Sequence, residues 1–162
     1  MPGREWSAKE MLYVADCEYS DPEKIRNSIA KGTLIIPANI NHRNLKPIGI
    51  GSAVTTKINA NIGGIPSPFI KGRRTGKIRL CMKYGADTAM DLSTGGDLDE
   101  IRTAIIEEAT IPIGTVPMYQ VVEDKQTIDD LTPEDWLRVI EKQANHAAFV
   151  LITLSAVMPP CL

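Results

Sequence analysis

The strongest constraint on the fold of this chain is a regular alternation of strand-like and helix-like segments from residue 85 onward. Apolar runs predict strands over residues 86–92, 111–116 and 149–154. Between them, Asp97 with Glu100 three residues later marks one helix start, and Thr132 followed by Pro133 marks another. Apolar side chains share one face of each predicted helix: Leu98, Ile101, Ile105 and Ala109 in the first, and Trp136, Leu137, Ile140 and Ala144 in the second. This alternation indicates right-handed βαβ units around a parallel sheet, and therefore an α/β protein.

The part of the chain before residue 63 predicts shorter elements. Ser7 with Glu10 forms a capping-box pattern for a first helix, and Asp21-Pro22 opens a second helix that Gly32 closes. Residues 34–36 predict a short strand, the Asn-rich stretch 37–47 a loop, and the β-branched stretch 54–62 another strand. Residues 63–76 break the alternation, because two prolines and four glycines stand where a helical crossover is expected.

Length and charge exclude several classes of protein. The 162 residues are enough for one domain, but a complete (β/α)8 barrel needs at least about 200. Lys and Arg number 18 against 20 Asp and Glu, so the net charge of −2 gives no reason to expect binding to nucleic acid or to an anionic membrane. The first ten residues lack the apolar segment of a signal peptide, and the longest apolar run is too short to span a bilayer. We therefore expect a cytoplasmic protein.

The cysteines and histidines do not form a metal-binding pattern. Cys17, Cys81 and Cys161 are far apart, and neither a CxxC nor an HExxH spacing occurs, which argues against a disulfide framework and against zinc or iron–sulfur ligation by this chain alone. We expect His42 to be a solvated loop residue and Cys81 to be packed within a helix. His146, near a predicted helix C-terminus, is expected either to stabilise the helix dipole or simply to be exposed.

Candidate ligand-binding residues follow the predicted strands, because α/β proteins bind ligands beyond the carboxyl ends of their strands. Asn59 and Asn61, the segment 91–96, and Tyr119-Gln120 all have this placement. The string LSTGGDLDE also fits a phosphate held at a helix N-terminus, but it lacks the lysine of a P-loop and the GxGxxG spacing, so a plain strand-to-helix turn capped by Asp97 explains it equally well.

Several longer strings resemble the phosphomethylpyrimidine synthase (ThiC) family over roughly residues 20–155. They are IPANINH at 36–42, KINANIG at 57–63, GADTAMDLSTGG at 85–96, IPIGTVPMYQ at 111–120 and LTPEDWLRVIEKQA at 131–144. The resemblance implies a (β/α)8 fold, of which this chain would hold an N-terminal helical region at residues 1–33 and a partial barrel of three or four β/α units at residues 34–162. Two positions depart from the family pattern, since Gly64 replaces an asparagine and Ser155 stands where the family has a substrate-binding histidine.

The function implied by the resemblance is that of a radical S-adenosylmethionine enzyme, which converts aminoimidazole ribonucleotide into the hydroxymethylpyrimidine phosphate of thiamine. The family's substrate contacts correspond to Asn61, Met90 and Tyr119 in this sequence. The full-length family is homodimeric and uses a [4Fe–4S] cluster, S-adenosylmethionine and zinc, whose ligands do not match residues of this chain. We therefore expect the chain alone to be inactive, to bind the ribonucleotide weakly and to associate or be poorly soluble.

Two other functions remain open at this point. The similar hydroxybenzimidazole synthases take the same substrate to a different product, and only residues outside this sequence would distinguish them. A non-catalytic nucleotide-binding module is the alternative from a different class.

Overall fold

In a computed structural model, the protein is described for residues 8–63, 71–125, 131–146 and 149–150. These residues form a mixed α/β structure with two sheets. The helices are α1 (Lys9–Cys17), α2 (Pro22–Ala30), α3 (Lys71–Lys83), α4 (Leu98–Glu108), α5 (Pro117–Lys125) and α6 (Pro133–Asn145). The strands are β1 (Leu34–Ile35), β2 (Ile50–Gly51), β3 (Asn59–Ile62), β4 (Thr88–Asp91), β5 (Ile113–Thr115) and β6 (Phe149–Val150).

The two N-terminal helices pack on each other and on the antiparallel pair β1–β2. Their shared core consists of Val14, Ala15, Ile25 and Leu34, all nearly inaccessible to solvent. Asp21 caps α2 by accepting a hydrogen bond from the Glu23 N–H, as the Asp-Pro pattern predicts. The predicted cap of α1, Ser7, lies outside the described residues, and Ala8 precedes the helix without a side-chain cap. The division of the chain at residue 33 stays a prediction.

The second sheet is parallel, and its four strands follow one another in chain order, β3-β4-β5-β6. Helices α3 and α4 lie between successive strands along the chain, and α5 and α6 both lie between β5 and β6. A core between this sheet and helices α3 and α4 is built from Ile62, Ile78, Ala89, Ile105, Ile106, Ala109 and Ile113. The predicted parallel βαβ arrangement is therefore confirmed for this part of the chain.

Three sequence-based predictions about the elements were wrong or incomplete. The strand predicted over residues 54–62 forms only over the last four of them, because Val54 packs against the N-terminal core instead. Helix α3 begins within the glycine-rich stretch, at Lys71, so the crossover is helical despite its composition. Helix α5 was missed because Pro117 was interpreted as the end of a strand, whereas proline is favoured in the first turn of a helix.

Helix α6 forms as predicted but presents a different face. Its buried residues are Asp135, Val139 and Gln143, spaced four apart, whereas Leu137 is 65% exposed. Apolar periodicity misidentified this face because two of its three buried side chains are polar and satisfied by hydrogen bonds.

Candidate functional site

The parallel sheet has one face covered by helices and one face that carries the predicted ligand-binding residues. Ile62, Ala89 and Ile113 point into the helix-covered core, so by alternation their neighbours Asn61, Met90 and Gly114 point to the opposite side. These three residues are direct partners in the register, Asn61 beside Met90 and Met90 beside Gly114. We call this side the open face, defined by Asn59, Asn61, Thr88, Met90 and Gly114. It brings two of the three predicted substrate contacts together.

The side chain of Met90 extends across the neighbouring strand. A Cβ added at Gly114 would fall onto the Met90 sulfur, whereas the glycine leaves the space that the thioether occupies. Met90 is half-buried in this position, so it offers an apolar surface next to the exposed amide of Asn61. The pair can hold a ligand that has a polar edge and a flat apolar body.

Three side chains of the open face form a hydrogen-bonded series, which we call the open-face relay: Thr88, Asn59 and Asn61. The Thr88 hydroxyl donates to Asn59 Oδ1 at 2.9 Å, and Asn59 Nδ2 donates to Asn61 Oδ1 at 3.0 Å. Asn59 is the first residue of β3, so its predicted place at the carboxyl end of the strand was wrong. Its side chain nevertheless reaches Asn61, two positions along the same face.

Tyr119, the third predicted contact, lies in the first turn of α5. Its N–H donates to the Val116 carbonyl, and the helix starts two residues after β5 ends. Tyr119 therefore lies beyond the carboxyl end of a strand that neighbours β4, at the same edge of the sheet as Asn61. The side chain is half-buried.

The residue after Tyr119 anchors this turn to the rest of the fold. Gln120 Oε1 accepts hydrogen bonds from Arg102 Nη2 at 2.7 Å and from Gln143 Nε2 at 3.0 Å, and Gln120 Nε2 donates to Asp99 Oδ1 at 2.9 Å. Thr115 extends the connection to β5 by donating to Gln143 Oε1 at 2.8 Å. We call these five residues the buried amide network. It joins α4, α5, α6 and β5, and thereby holds the first turn of α5 in place.

The charges of the buried amide network compensate each other. Arg102 is only 3% exposed and donates to Asp99 Oδ1 at 3.0 Å, while Lys142 Nζ contacts the other oxygen of that carboxylate. Burial alone would raise the pKa of Asp99, but the hydrogen bonds from Lys142 and Gln120 and the positive charges of Lys142 and Arg102 outweigh it and lower the pKa. Asp99 is thus held as an anion that neutralises a buried guanidinium.

The turn after β4 forms an ordinary helix cap. Asp97 Oδ1 accepts from the Glu100 N–H at 2.9 Å, and the buried carboxylate of Asp91 accepts from the Ser93 N–H at 3.1 Å. Two N–H groups near the start of this helix, those of Ser93 and Glu100, are thus bound by carboxylates. The alternative of a capped strand-to-helix turn is therefore favoured over a phosphate site.

His42 corrects an expectation, because it is buried rather than solvated. It is 6% exposed, and its Nε2 lies 2.9 Å from the Ala109 carbonyl oxygen at the end of α4. His146 is half-buried at the end of α6, with Nδ1 at 3.8 Å from Asp99 Oδ1, so it too is less exposed than expected.

The Asn-rich loop around His42 binds the ends of two helices. Asn39 Nδ2 donates to the Ala144 carbonyl at 2.8 Å and Asn41 Nδ2 to the Asn145 carbonyl at 3.2 Å, both at the end of α6. Asn44 Nδ2 donates to the Glu107 carbonyl in the last turn of α4 at 3.2 Å. The last carbonyls of a helix lack partners within the helix, and side-chain amides supply them here. Repeated Asn residues in a loop flanked by prolines are a sequence signal for this role.

The described residues do not gather metal ligands. No group of three or more His, Cys, Asp or Glu side chains suited to a metal occurs among them. Cys17 is exposed on α1, whereas Cys81 on α3 packs at the edge of the parallel-sheet core, as expected. Cys161, Ser155 and Gly64 lie outside the described residues.

A cleft adjoins the open face at the carboxyl end of β3. It measures about 620 Å³ and is bordered by Asn61, Gly63, Leu92 and Thr94 on the sheet side and by Lys77 and Cys81 on α3. This volume lies within the range of small-ligand sites. No helix within the described ranges is long and apolar enough to cross a membrane.

Comparison with protein families gives one match that covers nearly the whole chain. The model of the radical SAM ThiC family matches residues 3–157. The matched region contains the open face, the first turn of α5 and the Asn-rich loop.

Proposed function

Because the chain belongs to the radical SAM ThiC family, we propose that its open face is part of the binding site for aminoimidazole ribonucleotide in an enzyme that makes the pyrimidine of thiamine. The observation that carries this proposal is the direct register of Asn61 with Met90, with Tyr119 beyond the neighbouring strand. In this role, Asn61 hydrogen-bonds the ligand, Met90 forms an apolar wall and Tyr119 positions the ligand from the first turn of α5.

The sheet itself supports a barrel as the complete fold. Four parallel strands in chain order, with one face covered by helices and the other carrying ligand residues, are the arrangement of consecutive β/α units. We propose that these strands are the first units of a (β/α)8 barrel and that the open face lines its interior.

Radical SAM enzymes use a [4Fe–4S] cluster to cleave S-adenosylmethionine and generate a radical. The residues described here do not fit such a cluster, since Cys17 is exposed on α1, Cys81 packs against the parallel-sheet core, and no group of three metal-ligating side chains occurs among them. We therefore assign this part of the chain to substrate binding and derive no radical step from it. Zinc, a homodimer and a cytoplasmic location are further parts of the proposal, and they rest on the family resemblance alone.

The test is a titration of the whole chain with aminoimidazole ribonucleotide. Nuclear magnetic resonance monitors which residues respond, and calorimetry measures the affinity. Three strand ends bury only part of a ribonucleotide, so we expect a dissociation constant on the order of millimolar. Signals of the open face should shift, and Asn61→Ala and Tyr119→Phe should each abolish most of the shift. Asn27→Ala and Tyr84→Phe, both at exposed positions away from the sheet face, are the matched controls.

Two results would change the proposal. If saturating ribonucleotide left the open face unperturbed, the substrate site would be wrong. If the affinity were micromolar and lost in Asn61→Ala, the chain would be a self-sufficient nucleotide-binding module. The reaction product, pyrimidine or benzimidazole, would then have to be decided by assaying the enzyme that contains this domain.

A further inference from the structure

The open-face relay engages the oxygen of the Asn61 amide and leaves its NH2 group available. Its Oδ1 accepts from Asn59 Nδ2 at 3.0 Å, and Asn59 Oδ1 accepts from the Thr88 hydroxyl at 2.9 Å. Both hydrogen bonds run in the same direction along the relay, so both asparagines use their side-chain oxygen as an acceptor within it. Within the described part of the chain, the Asn61 NH2 group makes no hydrogen bond, and the side chain is exposed.

We propose that Thr88 and Asn59 are positioning residues that make Asn61 a hydrogen-bond donor toward the ligand. An isolated amide can rotate by 180° and offer either its oxygen or its nitrogen, because the two ends have the same shape. In the structure Asn59 Nδ2 donates to the Asn61 oxygen, and the Thr88 hydroxyl donates to the oxygen of Asn59, which leaves the Asn59 NH2 group directed at Asn61. The relay therefore selects a ligand that presents an acceptor at this point.

The ligand chemistry follows, on the premise that the proposed function is correct. An acceptor on a ribonucleotide of this class is either the unprotonated ring nitrogen or an oxygen of the sugar phosphate. A ligand that presents only an N–H to Asn61 would face the NH2 donor or compete with Asn59 for the oxygen, and would therefore bind more weakly. The relay thus adds specificity to a contact that Asn61 alone would leave ambiguous.

Strand register explains why the half-buried Thr88 and the exposed Asn59 and Asn61 can form this relay. Asn59 and Thr88 are direct partners across β3 and β4, and Asn61 lies two residues beyond Asn59 on the same side of the strand. The relay thus stands on two paired strands rather than on a loop, which restricts the motion of all three side chains.

The experiment measures the side-chain NH2 signals of the ¹⁵N-labelled whole chain, first without ligand. The Asn61 signals are assigned by their loss in Asn61→Ala. Asn59→Asp lacks the donor, so the Asn61 amide should turn and donate to the new carboxylate, which shifts its NH2 signals. Thr88→Val should shift the signals of both asparagines, and Thr88→Ser should restore them. Asn27→Asp, on the exposed face of α2, is the control that should leave Asn61 unchanged.

The second arm adds aminoimidazole ribonucleotide or ribose 5-phosphate to each variant. In Thr88→Val the Asn61 amide is less well oriented, so ribonucleotide binding should weaken by about three- to tenfold. In Asn59→Asp the loss should be larger, because the Asn61 amide then presents its oxygen to the ligand. Thr88→Ser should bind as the original chain does. If ribose 5-phosphate also shifts the Asn61 signals, the acceptor is on the sugar phosphate; if only the ribonucleotide does, it is the ring nitrogen.

The two proposals fail in different ways. Unchanged Asn61 signals in both Asn59→Asp and Thr88→Val, without ligand, would overturn the relay whatever the ligand does. Equal ribonucleotide affinity in Asn59→Asp and in the original chain would overturn its role in specificity. Relay signals that respond to the variants but never to the ribonucleotide would support the relay and refute the proposed substrate.

Discussion

The two faces of the parallel sheet use the same side-chain chemistry for different purposes. On the helix-covered side, Gln120 and Gln143 are each about 97% or more inaccessible and use their amides to join three helices. On the open face, Asn59 and Asn61 are exposed and use their amides to direct each other. A buried amide that loses its partner costs stability, whereas an exposed one turns to water. The degree of burial therefore distinguishes the buried amide network, which stabilises the fold, from the open-face relay, which we propose orients a ligand contact.

The largest expected effect is the loss of the buried guanidinium. Arg102→Met removes the donor to Asp99 and Gln120, leaving the carboxylate without its nearest buried charge. Breaking a buried pair typically costs about 3–5 kcal/mol, and we expect the lower end of this range because Lys142 still contacts the partly exposed Asp99. Urea denaturation measures the free energy of unfolding. Arg79→Met, which removes the exposed partner of Glu108, should leave stability unchanged, and a similar loss in both variants would contradict the role of burial.

The second prediction compares the stability cost of one substitution in the buried amide network with that of one substitution in the open-face relay. Gln143→Leu leaves the Thr115 hydroxyl without its buried acceptor and Gln120 without one donor, which should cost about 1–3 kcal/mol. Thr88→Val removes one hydroxyl from the open-face relay, where water replaces it, and should not measurably change the melting temperature. Calorimetry measures the melting temperature of both variants. Equal destabilisation of the two would show that side chains on the open face contribute as much to stability as those on the covered face.

A smaller effect is expected on the pH dependence of stability. The pKa of Asp99 is lower in the folded protein than in the unfolded chain, so its contribution to stability is present above the unfolded pKa of about 3.9 and is lost as the pH falls below it. Denaturation of the original chain and of Asp99→Asn between pH 6 and pH 3 should show a shallower loss in the variant. If the free energy of unfolding fell equally with pH in the original chain and in Asp99→Asn, Asp99 would titrate alike in the folded and unfolded states. The uncharged open-face relay should give no such difference in Thr88→Val.

The smallest effect on stability is expected on the open face at Gly114. Gly114→Ala places a methyl where the Met90 sulfur lies, and the flexible end of Met90 can move away, so the cost should stay below about 1 kcal/mol. The Met90 methyl signal should nevertheless shift. Gly76→Ala, in open space within α3, should instead stabilise the protein by about 0.5–1 kcal/mol. An unmoved Met90 signal would mean that the side chain does not cross Gly114.

Local patterns in the sequence predicted most elements of the sheet region. Asp97 and Thr132 cap α4 and α6 as their spacing indicates, and the apolar runs around β4 and β5 form parallel strands. These features depend on residues a few positions apart, whose chemistry is visible in the sequence. The same logic failed for α5, since one proline can end a strand and begin a helix at once.

The candidate site was predictable only in part. Motif resemblance identified Asn61, Met90 and Tyr119, and the parallel arrangement brings the first two into register. Neither periodicity nor motif could show that Gln120 is clamped by residues 18, 21 and 23 positions away in the chain. Such contacts depend on how helices pack, and a polar residue with distant partners looks the same in sequence as a solvated one.

The sequence by itself determined the α/β class and the family, and it predicted candidate ligand residues, because periodicity, caps and long motifs are local properties of the chain. Only the tertiary structure decided which polar residues are structural and which are available. The sequence predicts a polar loop with a solvated His42, yet His42 and the asparagines around it bind the carbonyl ends of α4 and α6. Asn59 looks like its neighbour Asn61, yet it faces that neighbour's oxygen. Each distinction depends on burial and on partners remote in sequence, which are settled when the helices and strands pack.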